Sequence, residues 1–139
     1  MAHDPNCIFC LIVAGKADAH KVYEDETTLV FMDIFPVSDG HTLLIPKNHC
    51  EDLFDADPTE LSSLMSTSKR VAAALRKVVE PEGMMVFQLN GAAAGQTVFH
   101  YHMHLLPRWA DQPLALHTRV PGKPKRLSEL ARGIAAALD

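Results

Sequence analysis

The sequence predicts an α+β domain built on an antiparallel sheet. Short apolar runs of strand length fall before and after one long amphipathic segment, without the strand–helix alternation of a doubly wound parallel sheet. The run His100-Tyr101-His102-Met103-His104-Leu105-Leu106 alternates at period two, the mark of a strand with two unlike faces. With 139 residues, 47% of them hydrophobic, the chain is long enough for a real core, and a single domain over residues 1–139 is expected.

Residues 7–14 form a short apolar stretch stopped by Gly15, enough for one or two helical turns. Lys21–Glu24 and Thr28–Asp33 read as two strands joined by the acidic turn Glu24-Asp25-Glu26. After Pro36 and Gly40, residues 41–46 read as a buried strand that Pro46 ends. Asp57-Pro58-Thr59-Glu60 is a helix start: a capping Asp, Pro at the first helical position and a Glu placed to reach back. Leu61, Leu64, Met65, Val71, Ala72, Leu75, Val78 and Val79 then follow helical spacing and give one apolar face, which Pro81 and Gly83 stop. Met84–Leu89 is another run of strand length, and the loop Asn90–Gln96, with Gly91 and Gly95, leads into the histidine strand. Residues 110–126, carrying Pro113, Pro121, Gly122 and Pro124, read as irregular, and a second helix is expected over Ser128–Leu138.

The net charge of −4 gives no global reason to bind nucleic acid or an anionic membrane. No apolar run approaches the roughly 18 residues of a membrane span. The start Met-Ala-His-Asp-Pro lacks a charged leader and an apolar signal core, so a cytoplasmic location is expected, with no nucleic-acid or membrane partner. Three cysteines, Cys7, Cys10 and Cys50, are odd in number and too few for a secreted disulfide framework.

On a strand, Tyr101, Met103 and Leu105 would enter the core while His100, His102 and His104 share the other face, with successive Cβ atoms roughly 6.5–7 Å apart. Histidine titrates near neutrality, and three on one face make a poor merely solvated surface. Two readings are open: two imidazoles sharing a metal, or a central imidazole acting as nucleophile between two helpers. The glycines of the Asn90–Gln96 loop let backbone N–H groups approach an anion, and Gln96 and Thr97 add neutral donors, although the loop is no P-loop. Cys7 and Cys10 sit at the spacing of half a tetrahedral zinc site, with His3, His49 and His100 as candidates for the rest, or are two small apolar core residues. Asp33 ends an apolar strand and suits either a turn or a pair of vicinal hydroxyls. Lys123, Lys125 and Arg126 suit a solvated surface, or attraction of a phosphate chain.

The run 100–106 resembles the signature of the histidine triad (HIT) family, His-φ-His-φ-His-φ-φ with φ apolar. Cys7–Ile12, Phe31–Ile34, Gly40–His49 and Asn90 with Gly95-Gln96-Thr97 resemble further segments of that family in its order. The likeness covers roughly residues 5–109, leaving 110–139 as a C-terminal segment. It implies a HIT fold: a five-stranded antiparallel sheet with one long and one or two short helices, joined to a ten-stranded sheet in a homodimer. It also implies a nucleotide-binding hydrolase that cleaves at the α-phosphate of a purine nucleoside anhydride, ester or phosphoramidate through a nucleotidyl-histidine intermediate. Dinucleoside polyphosphates and nucleoside phosphoramidates are the substrate types implied. In that reading His102 is the nucleophile, His100 and His104 flank it, and His41 supports them. Asp33 binds ribose, and Ile8, Phe9, Ile12, Phe31, Ile34 and Leu43 line the base pocket. Asn90, Gly95, Gln96 and Thr97 contact phosphate. Cys7, Cys10, His49 and His100 resemble the structural zinc quartet of one bacterial branch, and no catalytic metal is required. Thr97 stands where serine is more usual, and alanine at 92–94 offers no side chain to a leaving group. Three alternatives are a nucleotidyl transferase or phosphorylase, a non-catalytic nucleotide-binding module, and a hydrolase using the histidine row around an open zinc.

Overall fold

A computed structural model describes residues 1–113 and 120–139; part of the stretch read as irregular, 114–119, lies outside the described residues. Five strands form one antiparallel sheet: β1 (Lys21–Glu24), β2 (Thr28–Met32), β3 (Thr42–Pro46), β4 (Gly83–Gln88) and β5 (Met103–Arg108), in the order β1-β2-β3-β5-β4. The last strand in sequence therefore sits inside the sheet, between β3 and β4. Three α-helices accompany it: α1 (Ile8–Val13), α2 (Pro58–Val79) and α3 (Pro124–Ala137).

Strand alternation sorts the side chains into two apolar layers. Val30, Met32, Leu44, Met103 and Leu105 pack with Leu64, Val71 and Leu75 of α2 and Leu130 and Ile134 of α3. Leu29, Phe31, Leu43 and Ile45 point the other way and pack with Cys7, Phe9, Cys10 and Ile12 around α1. Both faces of the central strands are thus covered, which is why β2 and β3 are buried along their whole length.

The helix start at Asp57 forms as the sequence predicts, with the carboxylate accepting from Thr59 N at 2.8 Å and Glu60 N at 3.2 Å. Glu60 was expected to reach back toward the cap; its carboxylate instead accepts from Asn48 Nδ2 at 3.0 Å. Met65, assigned to the apolar face, is 56% exposed, and Thr67 and Ser68 are buried in its stead, because the buried stripe turns slightly away from the purely apolar one. The helix ends with Glu80 in the left-handed region (φ 48°), the residue before Pro81 being barred from continuing it. Helix α3 begins at Pro124, four residues earlier than expected, with Pro at its first position and no side-chain cap on Lys123. The histidine run is only half strand: β5 starts at Met103, and His100 to His102 precede it. Among the described residues no helix is long and apolar enough to cross a membrane.

Candidate active site and metal centre

Register places the first functional histidine. His104 on β5 pairs with Leu43 on β3 and Phe87 on β4, so it lies on the α1 side of the sheet. Its ring stacks on Phe87 with centroids 4.3 Å apart and planes 8° from parallel. His104 Nδ1 lies 2.9 Å from His41 Nε2, and His41 Nδ1 accepts the backbone N–H of Val37 at 3.1 Å. Because that amide can only donate, the neutral His41 carries its proton on Nε2 and donates it to His104 Nδ1. His104 then carries its own proton on Nε2. The Asp33 carboxylate stands 3.5 Å from His41 Nε2 and also accepts from Phe35 N at 2.8 Å. Asp33, His41 and His104 thus form a line of titratable side chains, with the two ring nitrogens at hydrogen-bonding distance and the carboxylate beside His41.

His102 sits just before β5, its ring 4.8 Å from that of His104 and edge-on to Phe9 at 5.2 Å. Its Nδ1–H donates to the His100 carbonyl at 2.7 Å. That bond fixes the tautomer and puts the lone pair on Nε2.

Both rings open onto a cavity of about 720 Å³, within the usual range for a small-molecule site. Ile8, Phe9 and Ile12 of α1 line one wall, and Phe31, Leu43, Asp33 and Ile34 another. His41, His102 and His104 meet Gly95 and Thr97 at its polar end. Three residues expected at the site are elsewhere. Gln96 does not line the cavity; it closes the glycine loop, accepting from Gly91 N at 2.7 Å and donating to Glu51 O and Val98 O. Asn90 is likewise turned into the loop's scaffold, accepting from Leu53 N at 2.8 Å and Gln88 Nε2 at 2.7 Å. His100 is wholly buried behind the cavity wall.

His100 belongs to a second cluster. Cys7, Cys10, His49 and His100 each offer one ligand atom, all within 4.8 Å of one another. His100 Nδ1 lies 3.4 Å from Cys7 Sγ, 3.6 Å from Cys10 Sγ and 3.2 Å from His49 Nδ1, and Cys10 Sγ lies 3.3 Å from His49 Nδ1. Tetrahedral zinc with ordinary Zn–S and Zn–N bonds has edges of roughly 3.3–3.8 Å, so the donor set fits that ion. His100 Nε2–H donates to Pro46 O at 2.7 Å, turning the Nδ1 lone pair inward. Burial pushes the His100 pKa down to about 4, so the ring is neutral at pH 7, as a ligand must be. Asp4 N and Cys10 N donate to the two sulfurs, each at 3.4 Å. His3 is exposed and not part of the cluster. Cys50 is buried apart from it, and burial pushes its thiol up to about 12, which leaves it inert.

Arg126, read as part of a solvated surface or as an attractor of a phosphate chain, forms an ion pair with Asp39. Lys123 and Lys125 are exposed. Sequence reasoning missed Phe87, Asp18, Leu89 and Val98, all of which face His104 or the cavity. Phe87 becomes visible only once β4 is set in register against β5.

A family model described as HIT domain matches residues 14–111. The Bacillus subtilis protein named Protein hit is 46% identical over 104 residues, 75% of this chain and 72% of that protein. Adenylylsulfatase HINT3 of Arabidopsis thaliana is 35% identical over 119 residues, 81% of this chain and 60% of that protein. A Zn-bound histidine triad family protein from Mycobacterium smegmatis has a similar structure, with a TM-score of 0.83 and 39% identity over 95% of this chain and 92% of that one.

Proposed function

The chain belongs to the HIT family, and from that premise we propose that it is a nucleotide-binding hydrolase that cleaves at an α-phosphate with His102 as nucleophile. The observation that carries the proposal is the His102 Nδ1–H bond to the His100 carbonyl, which aims an Nε2 lone pair at a cavity of nucleotide size. The named activity of the Arabidopsis relative, an adenylylsulfatase, supports hydrolysis of a nucleotide conjugate.

In the first step Nε2 attacks the α-phosphorus. A P–N bond forms, the bond to the leaving group breaks, and its electron pair departs with that group, which takes up a proton from water. In the second step water attacks phosphorus and gives up a proton to solvent, replacing the one the leaving group took; the P–N bond breaks, its electron pair returns to Nε2, and a nucleoside monophosphate is released. The His104 Nε2–H, backed by His41 through its Nδ1, stabilises charge on a phosphate oxygen, and the Thr97 hydroxyl is a second donor. Asp33 takes the ribose hydroxyls, and the apolar walls take the base. Gln96, Asn90 and Gly95 act by shaping the loop that carries Thr97.

Cys7, Cys10, His49 and His100 would hold zinc, a reading supported by their mutual distances and by the Zn-bound relative. Four protein ligands leave no open position, so the ion is structural and no step passes through it. The proposed assembly is a homodimer in which β4, an edge strand with Val86 54% exposed, meets its counterpart.

Rapid quenching of the wild type with an α-labelled nucleotide conjugate should trap nucleotide on the protein, stable to base and labile to acid. His102→Ala should lower kcat by about a thousandfold or more. Absence of label on the wild type, or normal turnover by the variant, would sink the mechanism.

A further inference from the structure

We infer that Asp18 reads the base and biases this site toward guanine nucleotides; the inference rests on the nucleotide reading above. Asp18 lines the cavity, yet its carboxylate has no hydrogen-bond or ion-pair partner among the described residues. The turn that carries it is held against the end of α1, where Lys16 N and Ala17 N both donate to Leu11 O, at 2.8 and 3.2 Å. Phe9 and Ile12 project from one face of α1 into the cavity. Phe9 lies against His102, and Ile12 is about 4.5 Å further along the helix axis. Asp18 follows past the helix end. From the histidines outward the order is therefore His102, Phe9, Ile12, Asp18. Asp18 stands past the Ile12 end of the apolar cleft, away from the imidazoles, on the segment that runs beside the end of β2, where Met32 N donates to His20 O at 3.0 Å.

A base between Ile12, Phe31 and Ile34 has its faces covered by hydrocarbon and its outer edge turned to Asp18. An ionised carboxylate accepts only, through two oxygens. Guanine offers N1–H and the 2-amino group as two parallel donors, which match that fork. Adenine offers one amino donor beside the N1 lone pair, and that lone pair would face a carboxylate oxygen. Hypoxanthine offers N1–H alone. Asp18 is largely exposed, so water competes for it, and the preference should be modest, about fivefold to tenfold.

Calorimetric titration of the full chain with GMP, AMP and IMP tests this, using wild type, Asp18→Ala and Asp18→Asn. Wild type should bind GMP about fivefold to tenfold more tightly than AMP or IMP. Asp18→Ala should bring the three affinities together, and Asp18→Asn, which keeps the side-chain shape, should reduce the GMP advantage. Equal affinities in the wild type, or a GMP preference that survives Asp18→Ala, would overturn the inference while leaving nucleotide binding intact. Failure of all three to bind the wild type would remove the nucleotide reading itself, and the inference with it.

Discussion

Phe87 covers one face of the His104 imidazole while His41 holds its Nδ1 edge, so the ring is fixed in two directions at once. Removing the aromatic face should let the imidazole tilt and misdirect its Nε2–H. Phe87→Leu is therefore expected to lower kcat by about fivefold with little change in KM for the same substrate, given that an aromatic pair contributes about 1 kcal/mol. An unchanged kcat would deny Phe87 any positioning role. The division of labour among the histidines was partly legible beforehand. Alternation put Met103 and Leu105 in the core, and the Cys7/Cys10 pair drew His100 toward a metal. Phe87 was not legible, because a cross-strand contact depends on a register that no local pattern encodes.

Among the elements, the β1–β2 hairpin is held by one side chain. Asp25 accepts from Thr27 N, Thr28 N and Tyr23 OH, at 2.9, 2.9 and 2.8 Å. Burial alone would raise its pKa, but these donors outweigh it and hold the carboxyl below its ordinary 3.8. A depressed carboxyl contributes stability above its unfolded pKa and loses it as pH falls through the folded one. In urea titrations Asp25→Ala should cost about 1 kcal/mol at pH 7. The gap from wild type should close as the pH drops below 3.8. Gly40, before β3, has φ +89°, and a Cβ there would lie 2.9 Å from Leu75 Cδ1 and 3.2 Å from Pro107 Cγ. Gly40→Ala should therefore destabilise the fold by about 2 kcal/mol, read from the same titrations. Most elements followed from the sequence because apolar period and start signals agreed. Helix α3 is the exception: no side chain caps it, so Pro124 is its one start mark, and that proline read equally well as part of an irregular stretch.

In the whole molecule, the sheet separates two apolar layers with different duties. The layer under α2 and α3 is closed packing, whereas the α1 layer also forms the cavity wall. The six-residue α1 is too short to be stable alone. The Cys/His cluster ties its start to the segment after β3 and to the residues before β5, three regions distant in sequence. Metal analysis should find one zinc per chain. Stripping the ion with a chelator, or Cys7→Ser, should lower Tm by about 10 °C. Under conditions where the protein still folds, the His102 intermediate should still form; loss of that intermediate alongside an unchanged Tm would contradict a structural metal. The architecture was legible from strands placed around one long helix. The strand order was not, since inserting β5 between β3 and β4 is a long-range choice.

Main-chain groups set the imidazoles' protonation pattern: Val37 N–H for His41, the His100 carbonyl for His102 and the Pro46 carbonyl for His100. Peptide groups survive almost every point mutation, so this wiring is insulated from sequence drift in a way that side-chain orienters are not. Its weak point is position 37, where proline alone among the replacements deletes the donor. Val37→Pro would free His41 to exchange tautomers and reverse the direction of its hydrogen bond to His104. A chain that had lost its chemistry could therefore keep every histidine intact.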